Sequence, residues 1–363
     1  MVSAGLLASM LAVAAAGFFF VDFDNGPRPA AALPAVRPHP RPARMAARLG
    51  LPGPIDGLLL VADRGNNRLL LVNGAGRIVW PYPRGGPAYP FRFDDDAFFG
   101  PGLRTIVSNQ EEQDTIQIVG FPGGRLLWRY GHLDARGSSA GYLNVPDDAY
   151  ELPNGLVSVA DAYNCRVLFL ALSGRVVRQI GSPGVCRHDP PRALGPVNGA
   201  TPLPGGGVLV SEIAGSWIDA FGADGRLLFA FRAPVSYPSD PQWLGNGHIL
   251  LADYARPGHA LIVDTNGRVL WRYGPPSGAG ALDHPSLAIR IRPGLIGITD
   301  DFRHRIVLVD LRSRRIVWQY GHTDRPGTAR GYLATPDGMD VLPYRRALQI
   351  PSLRPLLRAA ARS

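Results

Sequence analysis

The chain contains no lysine, only two cysteines, and neither the H-E-x-x-H motif of zinc proteases nor a nucleotide-binding P-loop. All 38 basic residues are arginine, and with the abundant Ala, Gly and Pro this indicates a GC-rich genome, so arginine content alone carries no functional meaning. The absence of H-E-x-x-H and P-loop sequences excludes the metal and nucleotide sites that those motifs build. The eight histidines are scattered along the chain, so no metal-ligand set is predicted from their spacing.

The positive charge of the chain, +9, is concentrated near its ends. Residues 344–363 hold five Arg and no acid (+5), and residues 1–56 hold five Arg and three Asp (+2). Residues 57–343 hold 28 Arg and 26 acids (+2), so the middle of the chain is nearly neutral. This distribution argues against a basic binding face, and no nucleic-acid partner is expected. Residues 344–363 are predicted to be a basic C-terminal tail.

An apolar segment without charged residues runs from Val2 to Val21 and is long enough to cross a bilayer as a helix. We predict a signal anchor or transmembrane helix at residues 1–22, followed by a Pro/Ala/Arg-rich linker at 23–52. Basic residues follow this segment and do not precede it, which by the positive-inside rule favours a cytoplasmic location for the rest. A start codon assigned too late would explain the missing basic residues. Because the apolar span is long enough for an anchor, and because of the two cysteines discussed below, we expect a membrane-anchored protein outside the cytoplasm. The cytoplasmic side is the alternative.

A sequence repeat covers most of the remaining chain. Each copy has an apolar stretch, an acid or amide, a short polar gap, a second apolar stretch, then Gly-Arg and an apolar pair, often followed by Trp. The copies begin near Gly57, Arg104, Gly155, Gly207, Gly247 and Leu295, roughly 40–52 residues apart. This period is typical of a four-stranded propeller blade, so we predict an all-β fold, a six-bladed β-propeller of antiparallel blades at residues 53–343.

The third copy of the repeat shows most clearly the predicted order of strands and turns in one blade. The inner strand at 145–152 is followed by the Asn154-Gly155 turn, and three further short strands complete a meander. The inner-strand sequence recurs as Asp94-Asp95-Asp96-Ala97, Pro146-Asp147-Asp148-Ala149, Pro196-Val197-Asn198-Gly199, Pro238-Ser239-Asp240, Pro285-Ser286 and Pro336-Asp337-Gly338. The last of these has no blade after it, and the first copy has no inner strand before it. The C-terminal strand is therefore predicted to join the N-terminal three strands and close the ring.

These repeats resemble the NHL-type and quinoprotein-like (PQQ-like) six-bladed propellers of bacteria. The resemblance is carried by Val61-Ala62-Asp63-Arg64-Gly65-Asn66-Asn67-Arg68, by Val159-Ala160-Asp161-Ala162-Tyr163-Asn164-Cys165-Arg166, and by Gly267-Arg268-Val269-Leu270-Trp271. The Asn-Gly turns and Gly-Arg-Val-Val-Trp patterns are also similar to arylsulfotransferase-type propellers. The resemblance implies the architecture over residues 57–343 and leaves the activity open, since this fold serves binders, scaffolds and enzymes. No residues for a PQQ cofactor can be placed.

A polar residue ends the second strand of each repeat. In a meander, the turns between second and third strands lie on the same face as the links between blades, which we call the loop face. An acidic ring is therefore predicted on the loop face, with one member per blade: Asp63, Asn109, Asp161, Glu212, Asp253 and Asp300. Each could bind backbone N–H groups of its own turn, or the ring could hold a ligand or Ca²⁺. Arg68, Arg166 and Arg305 follow five residues later and are expected to anchor neighbouring blades.

Two links on the loop face are near-copies of one another. They run from Tyr130-Gly131-His132 to Gly141-Tyr142-Leu143, and from Tyr320-Gly321-His322 to Gly331-Tyr332-Leu333. Long loops on rigid scaffolds often carry function, which makes His132 and His322 candidate catalytic bases. The alternative is that Tyr130, Tyr320 and the two histidines only shape the loops, because a catalytic site needs one asymmetric constellation.

The two cysteines fall on the loop face of the same repeat. Cys165 lies in the turn between second and third strands, and Cys186 lies in the link that leaves the fourth strand. We therefore predict a Cys165–Cys186 disulfide, which would fit an oxidising compartment. Two unrelated buried thiols are the alternative.

We expect a membrane-tethered or exported monomer that binds a protein partner or a small ligand on its loop face without catalysis. The alternative is a transferase or lyase outside the cytoplasm that uses a loop-face histidine. The cofactor is unknown, with Ca²⁺ as one possibility.

Overall fold

The computed structural model of the protein describes residues 53–83 and 90–362, and within them the chain forms a six-bladed β-propeller with four antiparallel strands in each blade. The all-β propeller predicted from the repeats is confirmed. The predicted N-terminal helix and linker lie outside the described residues. In the two described ranges, none of the helices has the length and apolar character needed to cross a lipid bilayer.

The strands follow one another in the order expected for a chain of meanders. Blade 1 holds β1 (Gly57–Asp63), β2 (Arg68–Asn73) and β3 (Ile78–Tyr82), and blade 2 holds β4 (Asp94–Phe99), β5 (Thr105–Gln110), β6 (Thr115–Gly120) and β7 (Leu126–Gly131). Blade 3 holds β8 (Pro146–Glu151), β9 (Leu156–Asp161), β10 (Arg166–Ala171) and β11 (Val176–Gly181), and blade 4 holds β12 (Val197–Pro202), β13 (Val208–Glu212), β14 (Trp217–Phe221) and β15 (Leu227–Arg232). Blade 5 holds β16 (Pro238–Gly245), β17 (His248–Asp253), β18 (His259–Asp264) and β19 (Val269–Tyr273), and blade 6 holds β20 (Ala288–Arg292), β21 (Leu295–Asp300), β22 (Arg305–Asp310) and β23 (Arg315–Gly321).

The last strand, β24 (Pro336–Pro343), pairs antiparallel with β1, so blade 1 takes its inner strand from the C-terminal part of the chain. The register matches Leu58 with Leu342 and Leu60 with Asp340. Because β24 covers the inner edge of β1, that edge presents no free row of backbone N–H and C=O groups.

Burial explains the hydrophobic pattern of each repeat. The second and third strands of a blade are packed on both faces by neighbouring blades, so β1, β9 and β21 are buried along almost their whole length. The fourth strands, such as β11, alternate between half-buried and exposed residues because they form the outer wall. This contrast accounts for the continuous apolar runs in the middle of each repeat and the alternating pattern after Gly-Arg.

In four of the six blades, a tryptophan of the outermost strand joins its blade to the next one at the outer wall. In four blades the indole N–H donates to a backbone carbonyl of the following blade: Trp80 to Pro122 (2.8 Å), Trp128 to Leu172 (2.9 Å), Trp271 to Leu311 (2.9 Å) and Trp318 to Gly74 (2.8 Å). A buried indole N–H needs such an acceptor, and here the acceptor lies across the seam between two blades.

The segment after β24 differs from the basic tail expected at residues 344–363. It forms helix α1 (Tyr344–Ala347), a 3-10 turn at Pro351–Leu353 and helix α2 (Arg354–Arg362), and it packs on blade 1. Tyr344 and Leu353 are buried in a cluster with residues of blade 1. Arg77 donates to the carbonyls of Ala360 (3.0 Å) and Ala361 (2.9 Å), near the end of α2. The apolar residues between the arginines thus cover a face of blade 1, which a count of charges does not reveal.

Two truncations distinguish the contributions of β24 and of the helices. Deleting residues 336–363 removes β24, exposes the edge of β1, and should abolish cooperative thermal unfolding and cause aggregation. Deleting only residues 348–363 should leave a folded ring that is less stable by about 2–4 kcal/mol, because mainly Leu353 and its neighbours lose burial. Circular dichroism melts and size-exclusion chromatography measure both effects. A longer deletion that melts like the full chain would contradict the role assigned to β24.

Candidate functional site

The six inner strands lie against one another around the propeller axis, and the region that they enclose, here called the channel, is rich in buried carboxylates. A regular strand would turn only every second side chain toward the axis. In β4, β8, β12 and β16, however, the pairing register shifts near the loop-face end, which is the mark of a β-bulge. Bulges allow consecutive residues to face the axis, so two layers of side chains can form there.

The layer nearer the loop face, here called the upper layer, has one polar residue from each blade: Asp337, Asp95, Asp147, Asn198, Ser239 and Ser286. Neighbouring members bind one another around the ring. Asn198 donates to Asp147 (2.6 Å) and accepts from the Ser239 hydroxyl (2.9 Å). Ser286 donates to Asp301 (2.8 Å), the first residue after the second strand of blade 6. Small polar residues thus separate some of the carboxylates.

Arg64 lies over the upper layer on the loop face. Its guanidinium lies 3.2 Å from Asp95 and 3.1 Å from Asp337 and also pairs with Glu111. Burial lowers the pKa of Arg64, but the carboxylates of Glu111, Asp95 and Asp337 together raise it by more, so the pKa lies well above its usual value. Burial raises the pKa of Asp95 well above its usual value, and the neighbouring carboxylates of Asp337 and Glu111 raise it further. One arginine is therefore shared by several acids.

The next layer down, here called the lower layer, holds three carboxylates from blades 2, 3 and 5. Oxygens of Asp96, Asp148 and Asp240 lie within 4.8 Å of one another, and all three residues are buried. Among the described residues, neither oxygen of Asp96 has a hydrogen-bond partner, and one oxygen each of Asp148 and Asp240 also lacks one. Burial raises the pKa of all three acids, that of Asp148 to about 7.

Glycines make room for these carboxylates. A Cβ at Gly338 would lie 2.4 Å from an oxygen of Asp96, and a Cβ at Gly199 would lie 2.9 Å from an oxygen of Asp240. The inner strands of blades 1 and 4 therefore carry no side chain at the positions that the neighbouring acids occupy.

Aromatic side chains stand beside the channel on the loop face. The rings of Tyr237 and Tyr254 are 5.2 Å apart, and Tyr254 lies 6.3 Å from Phe302. His284 contacts both Tyr254 and Phe302, and its Nδ1 lies 2.6 Å from Asp283. Tyr163 projects from the third blade and is 57% exposed. Burial raises the pKa values of the Tyr163 and Tyr237 hydroxyls, and the nearby carboxylates of Asp147 and Glu111 raise them further. We call these aromatic residues, with Arg64 and the acids around it, the channel mouth.

Most residues of the predicted acidic ring lie at the ends of the second strands and hold the links. Asp63, Asp161 and Asp300 accept backbone N–H groups of the preceding link, from Ala334 (2.8 Å), Asn144 (2.8 Å) and Asp283 (2.7 Å). The same three acids pair with Arg68 (2.6 Å), Arg166 (2.6 Å) and Arg305 (2.7 Å). Each arginine also reaches link carbonyls, for example that of Thr328 for Arg68. These acids face turns and links, whereas the channel carboxylates come from the inner strands.

The other three predicted ring positions differ in detail. Asp253 accepts from the backbone of Ser236 (3.1 Å), and Glu212 accepts from Gly195 (2.6 Å). In blade 2 the residue at the end of the second strand is Gln110, one position after Asn109. Asn109 instead faces the inner strands, where it accepts from the backbone of Asp96 (3.1 Å) and donates to the Pro146 carbonyl (2.9 Å).

His132 and His322 follow outer strands, away from the inner strands that form the channel. Their rings pack on Tyr142 and Tyr332, with centroids 4.2 and 4.0 Å apart. Tyr130 and Tyr320 are buried, and the Tyr130 hydroxyl accepts from the backbone of Gly141 (2.9 Å). The two histidines are exposed and belong to separate blades, so the structure does not bring them together.

The predicted disulfide is confirmed. Cys165 and Cys186 are bonded, with a Cα–Cα distance of 5.3 Å. Cys165 holds the left-handed position at the end of the 3-10 turn, which Asn67, Asp114 and His304 occupy in other blades. The bond therefore ties this turn of blade 3 to the link that leads into blade 4.

Comparison with known proteins supports the fold and leaves the family open. A protein of unknown function from Bacteroides caccae is 19% identical, with a TM-score of 0.55, and the match covers 79% of this chain and 98% of that one. Virginiamycin B lyase from Staphylococcus aureus, in a catalytically inactive form with quinupristin, is 16% identical over 68% of this chain and 75% of that one (TM-score 0.48). Hydrazine synthase of Kuenenia stuttgartiensis is 12% identical over 72% of this chain and 77% of that one (TM-score 0.49). No protein-family model and no curated protein matches the chain, so the resemblance to NHL-type and PQQ-like repeats stays a prediction.

The buried channel acids should make stability depend on pH. Burial raises the pKa of Asp148 in the folded protein to about 7, above its usual value of 3.8, so the folded state binds more protons than the unfolded state between these pH values. The free energy of unfolding should therefore fall as the pH rises from 4 to 7. Asp148→Asn should flatten this dependence and give a higher melting temperature than the unsubstituted protein at pH 8. Asp134→Asn, at an exposed carboxylate, is the control and should leave the slope unchanged. Equal slopes in all three proteins would contradict a buried ionisable Asp148.

Proposed function

We propose that the protein is a non-catalytic binding propeller and that the channel mouth takes a small organic cation. The observation that carries this proposal is the excess of carboxylates over bases at the mouth, next to exposed aromatic rings. Arg64 lies among these acids, and Asp95, Asp337 and Glu111 already surround it.

The electrostatics favour a cationic ligand over an anionic one. Burial and mutual repulsion raise the pKa values of Asp95, Asp147 and Asp301, which means that the charged forms of these acids are costly there. A bound cation would lower this cost by pairing with them. A sulfate or phosphate group would meet the same carboxylates and would have to compete with them for Arg64.

The aromatic residues supply the second half of such a site. Tyr163 and Phe302 are 57% and 48% exposed, so their rings are accessible to a ligand from solvent. Ammonium groups bind the faces of Tyr and Phe rings through cation–π attraction, and quaternary ammonium ligands are recognised in this way. Aromatic faces beside carboxylates therefore suit an amine or quaternary ammonium better than a sugar or an anion.

Catalysis by a loop-face histidine is the second candidate function, and one contact favours it. His284 lies at the channel mouth with its Nδ1 2.6 Å from Asp283, an arrangement that orients a histidine for use as a general base. His132 and His322 instead pack on tyrosines at outer links. A lyase or transferase reaction would therefore use His284, and loss of turnover with retained binding in His284→Gln would identify it.

A membrane-tethered location outside the cytoplasm is also part of the proposal. The apolar segment at residues 2–21 supports an anchor, and the Cys165–Cys186 disulfide supports an oxidising compartment. Such a monomer would present the channel mouth to ligands or to a protein partner outside the cell membrane.

Cation binding can be tested with choline as the probe. Isothermal titration should detect choline binding, and Tyr163→Ala and Phe302→Ala should each weaken it by about 3- to 30-fold, the range of one cation–π contact. Asp337→Asn should also weaken it, because the mouth loses a negative charge. Tyr142→Ala is the matched control, since this tyrosine packs on His132 in an outer link.

Two results would exclude the proposed ligand class. One is tighter binding of p-nitrophenyl sulfate than of choline, which would indicate an anion site. The other is equal choline affinity in the unsubstituted protein and in all of the mouth variants.

The proposed compartment has its own test in the native host. Thiols are blocked with iodoacetamide before and after reduction, and intact mass counts the labels. We expect no label before reduction and two labels after it. Two labels before reduction would show that the pair is reduced in the cell and would argue for the cytoplasm.

A further inference from the structure

Blade 4 departs from the other blades at the start of its third strand. This position is Arg68, Arg166 and Arg305 in blades 1, 3 and 6, Thr115 in blade 2 and His259 in blade 5, but Trp217 in blade 4. In the blades with arginine, the side chain pairs with the acid at the end of the second strand. Trp217 cannot pair with Glu212 in this way, so Glu212 lacks the cation that its counterparts have.

A second departure lies two residues further along the same strand. The equivalent residues in the other blades are Leu70, Gln117, Leu168, Leu261 and Val307, none of which is charged. Blade 4 has Asp219 there, with no exposed surface and no hydrogen-bond partner for either oxygen among the described residues. A buried carboxylate without a partner is costly unless it is paired or bound to a metal. Blade 4 therefore has two buried acids in a region where blades 1, 3 and 6 have one acid paired with an arginine.

The link from blade 3 brings a histidine to these two acids. His188 Nδ1 lies 3.0 Å from Glu212 Oε1 and 3.8 Å from Asp219 Oδ2, and the three donor atoms all lie within 4.8 Å of one another. Donors that bind zinc at about 2.0–2.1 Å in tetrahedral geometry are about 3.3 Å apart. The two separations from His188, 3.0 and 3.8 Å, lie on either side of that value.

Neighbouring groups hold these donors in place. The Trp217 ring stacks flat on the His188 ring, with centroids 3.7 Å apart and planes within 2°. The backbone N–H of Gly195 binds Glu212 Oε2 (2.6 Å), which leaves Oε1 toward His188. The disulfide fixes the link at Cys186, two residues before His188. Supporting contacts of this kind orient the ligands of known metal sites.

We infer that His188, Glu212 and Asp219 form a binding site for a transition-metal ion, with zinc as the class of ion that fits best. One imidazole nitrogen and two carboxylate oxygens are a donor set suited to Zn²⁺ or Mn²⁺ and poorly suited to Ca²⁺, which takes oxygen ligands. The His188 side chain is 21% exposed, so an ion and a water molecule can reach the site from solvent. This site is separate from the channel mouth and does not depend on the function proposed for it.

Zinc binding by the full-length protein tests the inference. The protein is purified in detergent, stripped with EDTA and titrated with ZnCl₂ in competition with a chromophoric chelator at pH 7.5. Loss of a supporting contact in known sites costs about 10- to 100-fold in affinity, so loss of a ligand should cost at least about 100-fold. Asp219→Leu and His188→Gln should each lose one zinc equivalent. Asp224→Asn, at an exposed acid in the same blade, should keep it.

The leucine variant also separates metal loss from misfolding. Leucine is the residue of blades 1, 3 and 5 at this position, so in EDTA Asp219→Leu should melt at or above the temperature of the unsubstituted protein. Equal zinc affinity in Asp219→Leu and the unsubstituted protein would overturn the inference, as would the absence of zinc binding in both. Tighter binding of Ca²⁺ than of Zn²⁺, lost in Asp219→Leu, would overturn the assignment of the metal.

Discussion

The propeller depends on one contact that recurs in five of its blades: a buried carboxylate accepts a hydrogen bond from a backbone N–H of the link that enters the blade. Asp63, Asp161, Asp253, Asp300 and Glu212 each end a second strand and bind the link in this way. The bond fixes where the link crosses the loop face, and therefore where the next inner strand begins. Since the inner strands carry the channel acids, the placement of the channel follows from these peripheral contacts. In three blades an arginine neutralises the carboxylate, so a buried charge is tolerated there.

The sequence predicts the blade number, the strand order and the disulfide because these follow from period and chain direction. The loop-face position of Cys165 and Cys186 needs only the meander rule. In the sequence, the channel acids Asp95-Asp96 and Asp147-Asp148 mark the inner strands, and the sequence pattern does not show that both members of each pair face the axis. Strand alternation assigns only one of two neighbours to the axis, whereas bulges can turn both inward. A bulge has no strong signature in a single sequence, so this part of the site could not be predicted.

Other differences have equally local causes. Asn109 and Gln110 are both polar amides at the end of a strand, and only the pairing of Gln110 with Thr115 identifies the equivalent position. The C-terminal helices carry five arginines but also Leu353 and Ala360, which pack on blade 1. The sequence contains a signal for the blade 4 site: alignment of the repeats shows Trp217 where three other copies have arginine, and Asp219 where every other copy has an uncharged residue. Departures from a repeat are more informative here than the repeat itself.

The two layers of the channel bear on how this chain could have diverged from a duplicated blade. Six identical copies of blade 3 would place six Asp147 and six Asp148 side chains around one axis, and like charges at that spacing repel strongly in a medium of low polarity. Asn198, Ser239, Ser286, Gly199 and Gly338 interrupt the carboxylates of the two layers in the present chain. Peripheral residues can stay symmetric because each lies far from its copies, but residues at the axis meet their own copies. A consensus propeller designed from this sequence would therefore keep its seams and links and would need a deliberately asymmetric axis.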